Sequence, residues 1–375
     1  MSKEKSFAIG CFNFGVKKKI PFEFKGSDYL KELDKNLHKI ANLTNLSIES
    51  DNEFVDYKET VTKKTINIEN DRGFFPNALI LNIEFNLHIP FKTQAKLKGS
   101  KKKYLRTFTE NFNVRILSGY YAPVAIIECL KPQQKCDPSN AVQIVREYLE
   151  NELNEINSDY IRFETLGPSP FHLDCFLKPR KPHQSNEWFF QTEENILKGY
   201  DELIIYYNSD EFKNADEAML VLNDSIIDEL GFYYLSQQDR VYKIHAWYSL
   251  QKKLNKLLKI QKAKGAEGLY CRFFKRQKLI GKLFVDIATF EVESTYGNNF
   301  KQNSYKQTFI AEDETFFKTF IDKSLDEKDE YPIKQVTELI SFFESRRVKS
   351  VELTMTIIAA LIGGAIGSIM TIYLQ

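Results

Sequence analysis

Six lysines, Lys92, Lys96, Lys98, Lys101, Lys102 and Lys103, crowd into twelve residues, with Arg106 just beyond them. Ammonium groups this close repel one another, and a multivalent anion relieves the repulsion most strongly because flexible lysines act as point charges toward phosphate. The run therefore reads as a ligand-binding hairpin tip. Lys96, Lys98, Lys101, Lys102, Lys103 and Arg106 are assigned to a nucleotide or a short nucleic acid. Anionic lipid is the rival partner, and a merely solvated basic loop is the reading without function.

Metal chemistry has one candidate set, Cys129 and Cys136 with His172 and Cys175. The ligand types suit zinc, but their spacing matches no usual zinc module, and buried thiols account for them more simply, so no metal and no cofactor are expected. No G-x-x-x-x-G-K-[ST], G-x-G-x-x-G, G-x-S-x-G or H-E-x-x-H occurs, and the five histidines are dispersed. Acidic pairs such as Glu193/Glu194 and Asp326/Glu327 fall in polar stretches where exposure is the default. An enzyme is accordingly the less favoured class.

The whole chain of 375 residues carries a net charge of +1, so no global field recruits polyanions and any anion site must be local. Its 43% apolar and 27% charged residues are those of a globular chain large enough for two medium domains. The five cysteines, odd in number and scattered, suit a reducing compartment.

Elements that would position these residues follow from periodicity. Strands are expected over 7–16, 62–69, 77–89, 104–117, 121–130, 160–166, 171–177 and 200–208. Over 77–89, Leu79 to Ile89 alternate with Asn82, Glu84, Asn86 and His88, the pattern of an antiparallel sheet with one wet face. Helices are expected over 28–43, capped by Asp28, and over 138–157, opened by Asp137-Pro138. From Ala215 the texture turns to long helical patterns through about Lys262 and again over 266–290, with a polar loop at 298–305 and a mobile acidic stretch at 324–330. These patterns divide the chain into an α+β head (1–210), a helical assembly layer (211–331), a juxtamembrane helix starting at Pro332 (332–350) and a terminal segment (351–375).

That terminal segment, Leu353 to Leu374, has 22 residues without one charge. A helix rising about 1.5 Å per residue would span a hydrocarbon core of roughly 30 Å with it. The expected fold class is therefore an α+β cytosolic head followed by a helical layer and one C-terminal transmembrane helix, a tail anchor in the cell membrane. Arg346, Arg347 and Lys349 precede the span and nothing basic follows it, so the N-terminus should be cytoplasmic. Thr356, Ala360, Gly363, Gly364, Gly367 and Thr371 fall on one side of such a helix. Gly363 and Gly367 form a G-x-x-x-G, which lets helices approach closely, so a homo-oligomer with this side toward a shared axis or pore is expected.

The order of parts is similar in outline to CorA-type ion channels, but there is one span where that family has two and its Gly-Met-Asn signature is missing, so magnesium transport is not implied. A nearer resemblance is to membrane effectors of bacterial anti-phage operons, the Hailong-type effector in particular. It is carried by the glycine-rich tail Ala359 to Ser368, the cytosolic orientation and the lack of catalytic motifs. The resemblance implies an oligomeric, ligand-gated channel controlled by a nucleic-acid-like ligand, with an operon-encoded protein as a further partner. Two other classes remain open from the residues alone: a membrane-tethered scaffold or sensor without a pore, and an anchored enzyme with an unrecognised site.

Overall fold

The structure is a computed structural model that describes residues 4–17, 26–50, 81–97, 107–118, 121–134, 136–166, 173–180, 188–193, 201–271, 275–310, 315–326 and 330–345. Contacts gather the chain into two compact units, one of Met1–Asp239 with Gln302–Asp326, the other of Arg240–Lys301 with Glu327–Gln375.

Unit 1 is built on an eight-stranded sheet. The strands are β1 (Lys5–Gly10), β3 (Leu43–Ser50), β4 (Leu81–His88), β5 (Asn111–Ser118), β6 (Pro123–Leu130), β8 (Leu173–Arg180), β9 (Trp188–Glu193) and β10 (Asp201–Asn208), and their order is β3-β4-β5-β6-β1-β8-β10-β9. Every neighbouring pair is antiparallel except β8 with β10. A separate ribbon pairs β2 (Phe12–Val16) with β7 (Ile161–Thr165).

The alternation read from the sequence over β4 holds: Leu81, Ile83, Phe85 and Leu87 are buried, whereas Asn82, Glu84 and Asn86 are half-buried and His88 is exposed. The first face of the sheet packs against helices α1 (Gly26–Leu37) and α3 (Pro138–Ile156), through Tyr29, Leu33, Val142, Val145 and Leu149. Helix α3 stops because Asn157 takes a left-handed conformation, φ 47°, and returns its N–H to Leu153 O at 3.0 Å. It starts at Pro138, as the Asp137-Pro138 pair predicts. Asp137 makes no side-chain cap, and Asp174 of β8 instead accepts from Ser139 N at 2.7 Å.

The second face is covered over β6, β1, β8 and β10 by the first half of α4 (Ala215–Lys262), the end of α6 (Arg276–Thr308) and α7 (Lys318–Asp326). Asn298 to Tyr305, expected to be a loop, is helical within α6. Ser304 is buried and Tyr305 half-buried, with Phe309 buried beyond, and the aromatic rings, not aliphatic residues, supply the core contacts: Tyr305 and Phe309 both pack on Phe232. Glu229 ties α4 to α7, its carboxylate accepting from Phe316 N at 3.0 Å and Phe317 N at 2.7 Å.

Unit 2 holds the second half of α4, the short α5 (Gly265–Tyr270), the first part of α6 and a helix over 333–345, here α8. Leu250, Leu257, Ile280, Leu283 and Ile287 form its core with Val336 and Ile340 of α8.

The expected transmembrane helix is the point of correction. Among the described residues no helix is long and apolar enough to cross a membrane. The long helices α4 and α6 meet a charged residue within almost every two turns. Leu353–Leu374 lies outside the described residues, as do Thr356, Ala360, Gly363, Gly364, Gly367 and Thr371.

Two glycines in the long helices should respond oppositely to alanine. A Cβ on Gly231 of α4 would lie 2.9 Å from the backbone oxygen of Ala122, which cannot yield, whereas a Cβ on Gly281 of α6 meets nothing within 4 Å. Gly231→Ala should destabilise the fold by about 1–3 kcal/mol through overpacking. Gly281→Ala should stabilise its helix by up to about 1 kcal/mol. Urea midpoints of both variants check this, and a neutral or stabilising Gly231→Ala would refute the close approach of α4 to the strand.

Candidate functional site

The lysine run lies in the connection between the antiparallel strands β4 and β5, and its described part is helical. Residues Phe91–Leu97 are a short helix, α2, that places Lys92 and Lys96 in solvent, while Lys98, Lys101, Lys102, Lys103 and Arg106 lie outside the described residues. The reason for the helix is Gln94, a buried polar side chain among lysines. Its amide Nε2 donates to Ile89 O and Thr109 O, both at 2.8 Å, and its Oε1 accepts from Thr107 Oγ1 at 2.8 Å. All three polar positions of the amide are thus used inside the protein. Thr109 continues the network, its N–H neighbourhood closed by Asn111 N donating to Thr109 Oγ1 at 3.1 Å. The network links α2 to Thr107 and Thr109, the first described residues after the lysine run.

Beside it, on the second face of β4 and β5, lies a row of polar groups. Asn113 Nδ2 donates to Glu84 Oε1 at 2.9 Å and to Asn86 Oδ1 at 3.0 Å, and Arg115 Nε lies 3.0 Å from Glu84 Oε1. Across β6 the row ends at Lys5, whose buried ammonium sits 2.6 Å from Glu128 Oε1 and 2.8 Å from Asp216 Oδ1. These charges are matched within the protein, which makes the row structural, whereas Lys92 and Lys96 of α2 are exposed.

The cysteine set separates. Phe7, Glu128 and Cys175 are register partners and share a face, so Cys129, next to Glu128, points to the other one. Cys129 and Cys136 accordingly lie in the first core and Cys175 in the second. A sheet stands between them, and no group of three metal-ligating side chains occurs among the described residues. His172 lies outside those residues. Cys136 and Cys129 hydrogen-bond to each other, which pulls the Cys136 thiol below its ordinary value and pushes Cys129 up. Cys136 also lies 3.0 Å from Ser6 Oγ.

On the β2–β7 ribbon, Glu164 is buried, ion-paired with Arg162, and its carboxyl lies directly over Gly15, where any Cβ would collide with it at 2.5 Å. Burial pushes its pKa up to about 7 despite the opposing pull of Arg162. Burial does the same to Glu229, whose two backbone N–H partners pull the other way.

Sequence reasoning placed the lysines but missed Gln94, and no local signal marks a lone glutamine as a buried clamp. It also missed a second basic concentration, in unit 2, for which a signal existed: between Arg240 and Val285 there are thirteen Lys and Arg against one acidic residue.

Comparisons with protein-family models, curated proteins and solved structures find no match to this chain. Its functional reading therefore stands on residues and geometry.

Two outcomes follow from this geometry. Gln94→Leu leaves Ile89 O without this donor, while Thr107 Oγ1 still donates to Thr109 O at 3.0 Å, and should cost about 1–3 kcal/mol in urea unfolding; no measurable cost would mean that the clamp does not organise the segment. The pH dependence has a definite sign. Glu164 binds its proton more tightly in the fold than at its ordinary value of 4.5, so its contribution is fully present below that pH and is lost as pH rises through about 7. The loss is on the order of 3 kcal/mol. Glu164→Gln should flatten the decline in unfolding midpoint between pH 5 and pH 8, and an unchanged decline would show that the carboxyl does not titrate there.

Proposed function

We propose that the protein is a non-catalytic, ligand-responsive effector of anti-phage defence that assembles as a homo-oligomer and acts at the cell membrane from its cytoplasmic side. The α+β unit takes up a nucleotide or short nucleic acid through the lysine segment, and occupancy controls membrane permeability. An operon-encoded protein is a natural further partner in that arrangement.

One observation carries the reading. The contacts that hold the described part of the lysine segment use none of its ammonium groups: Gln94 bonds Ile89 O, Thr107 and Thr109 O, Glu110 accepts only the backbone N–H of Phe91, and Lys92 and Lys96 are exposed with no ion pair among the described residues. Lysines supported in this way keep their charge for an external anion, whereas a segment anchored by ion pairs would have spent it. Action at a membrane rests on the uncharged run over 353–374 and on the resemblance to the Hailong-type effector.

The test is the simultaneous change of Lys98, Lys101, Lys102 and Lys103 to Ser in the full chain, with a labelled oligothymidylate titrated at several salt concentrations. Loss of four phosphate contacts to a single strand should lower the log–log salt slope by about 3 and weaken binding at low salt, with the thermal transition unchanged. Affinity and slope equal to those of the parent would return the segment to a solvated basic loop.

A further inference from the structure

The second basic concentration has a definite place in unit 2. Helices α4 and α6 run antiparallel there, since Tyr242 donates to Glu293 and Lys253 pairs with Asp286, so the turn between them, with α5, forms one end of the unit. Lys252, Lys256, Lys259 and Lys262 approach that end along the exposed side of α4, and Lys278 and Lys282 leave it along α6. All six are exposed, and none forms an ion pair among the described residues. Lys253 alone of the α4 lysines near it turns inward, toward Asp286. Tyr248 and Tyr270 are exposed on the same stretch, 66% and 56% accessible.

Helix α8 runs toward this end. Its entry, Tyr331, packs on Trp247 and Phe290 with ring centroids 5.5 and 5.2 Å away, farther from the turn. Its later residue Phe343 meets Arg276, whose guanidinium donates to the Phe343 carbonyl and lies 5.8 Å from its ring. Arg276 is the first residue of α6 after the turn. The chain therefore reaches residue 345 at the lysine-rich end, and the uncharged run begins only eight residues later, after Arg346, Arg347 and Lys349.

We propose that the lysine-bearing end of the α4–α6 hairpin is a docking surface for an anionic lipid bilayer. The partner follows from two features that point to one source. Exposed lysines beside tyrosines are what a head-group layer accepts, cations to its phosphates and amphipathic rings to its boundary. The described chain ends at this end of the unit with residue 345, eight residues in sequence before the uncharged run, and a nucleic acid would use the lysines but leave that run without a partner. This surface is distinct from the lysine segment of unit 1. The inference rests on the membrane association in the proposed function and adds where on the molecule, and to which lipid class, it occurs.

The experiment compares the full chain with a variant carrying Lys252, Lys256, Lys259, Lys262, Lys278 and Lys282 all changed to Gln. Flotation is measured with vesicles of phosphatidylcholine alone and of phosphatidylcholine with phosphatidylglycerol, at low and high salt. The parent should favour the anionic vesicles, and the variant should lose at least about tenfold of that preference, since each lysine near an anionic surface contributes roughly fivefold. Binding to neutral vesicles, which the apolar run supports, should be equal in the two proteins, and equal thermal transitions exclude misfolding. A parent indifferent to lipid charge, or a variant that keeps the preference, overturns the proposal. So does a variant that partitions normally but loses oligothymidylate binding, which would make this end a nucleic-acid surface. Intact oligothymidylate binding together with lost anionic preference separates this inference from the reading of the unit 1 lysines.

Discussion

Burial of strand β1 on both faces is the constraint on which the rest of unit 1 depends. Phe7 and Ile9 point into one core and Ala8 into the other, all at most 1% accessible. A strand covered on both sides needs helices on both sides, and the chain supplies them from distant places, α1 and α3 to one face and α4, α6 and α7 to the other. The same strand carries Lys5, whose ammonium is buried where the sheet meets the start of α4. Two carboxylates, Glu128 from β6 and Asp216 from α4, answer that charge. Such a pairing adds little net stability over an apolar contact, but removing one partner leaves a buried charge exposed to no solvent, which is strongly unfavourable. It thus favours one arrangement of strand and helix over alternatives.

Buried charge and outward charge are handled differently in this protein. Arg115, Arg162 and Lys5 each face a carboxylate inside the fold. Lys92 and Lys96 of α2, and the exposed lysines at the end of the α4–α6 hairpin, stand on helices packed inward through Gln94 in the first case and Leu250, Leu257, Ile280 and Leu283 in the second, with Lys253 alone of the latter group paired to a carboxylate, Asp286. A net charge near zero for the whole chain hides this, because acidic residues elsewhere cancel the two positive concentrations in the sum and not in space.

Much of the architecture was legible from periodicity. The alternation in β4, the apolar stripe of α3 and the long helical texture after Ala215 each record a local rule, that side chains on one face recur every two or every three to four residues. Periodicity marks neither β3 nor β9; β3 is partly buried only at Leu43, Leu46, Ile48 and Ser50, which breaks strict alternation, and it follows Asn42, which adopts a left-handed conformation, φ 59°. The lysine segment was legible as charge but not as structure, because the helix there is held by Gln94, whose partners Thr107 and Thr109 lie well beyond it in the chain.

By itself the amino-acid sequence determined which residues seek burial, where charge gathers and where the chain lacks charge for 22 residues together. Those are properties of single residues and short windows. Tertiary structure alone decided that β10 would insert between β8 and β9, that Cys129 and Cys175 would stand on opposite faces, and that Asp174 would cap α3 in place of Asp137. Each of these depends on which distant strand or helix arrives alongside. Hydrogen-bond partners and core contacts between residues far apart in the chain are selected by packing the whole unit, and no local pattern encodes them.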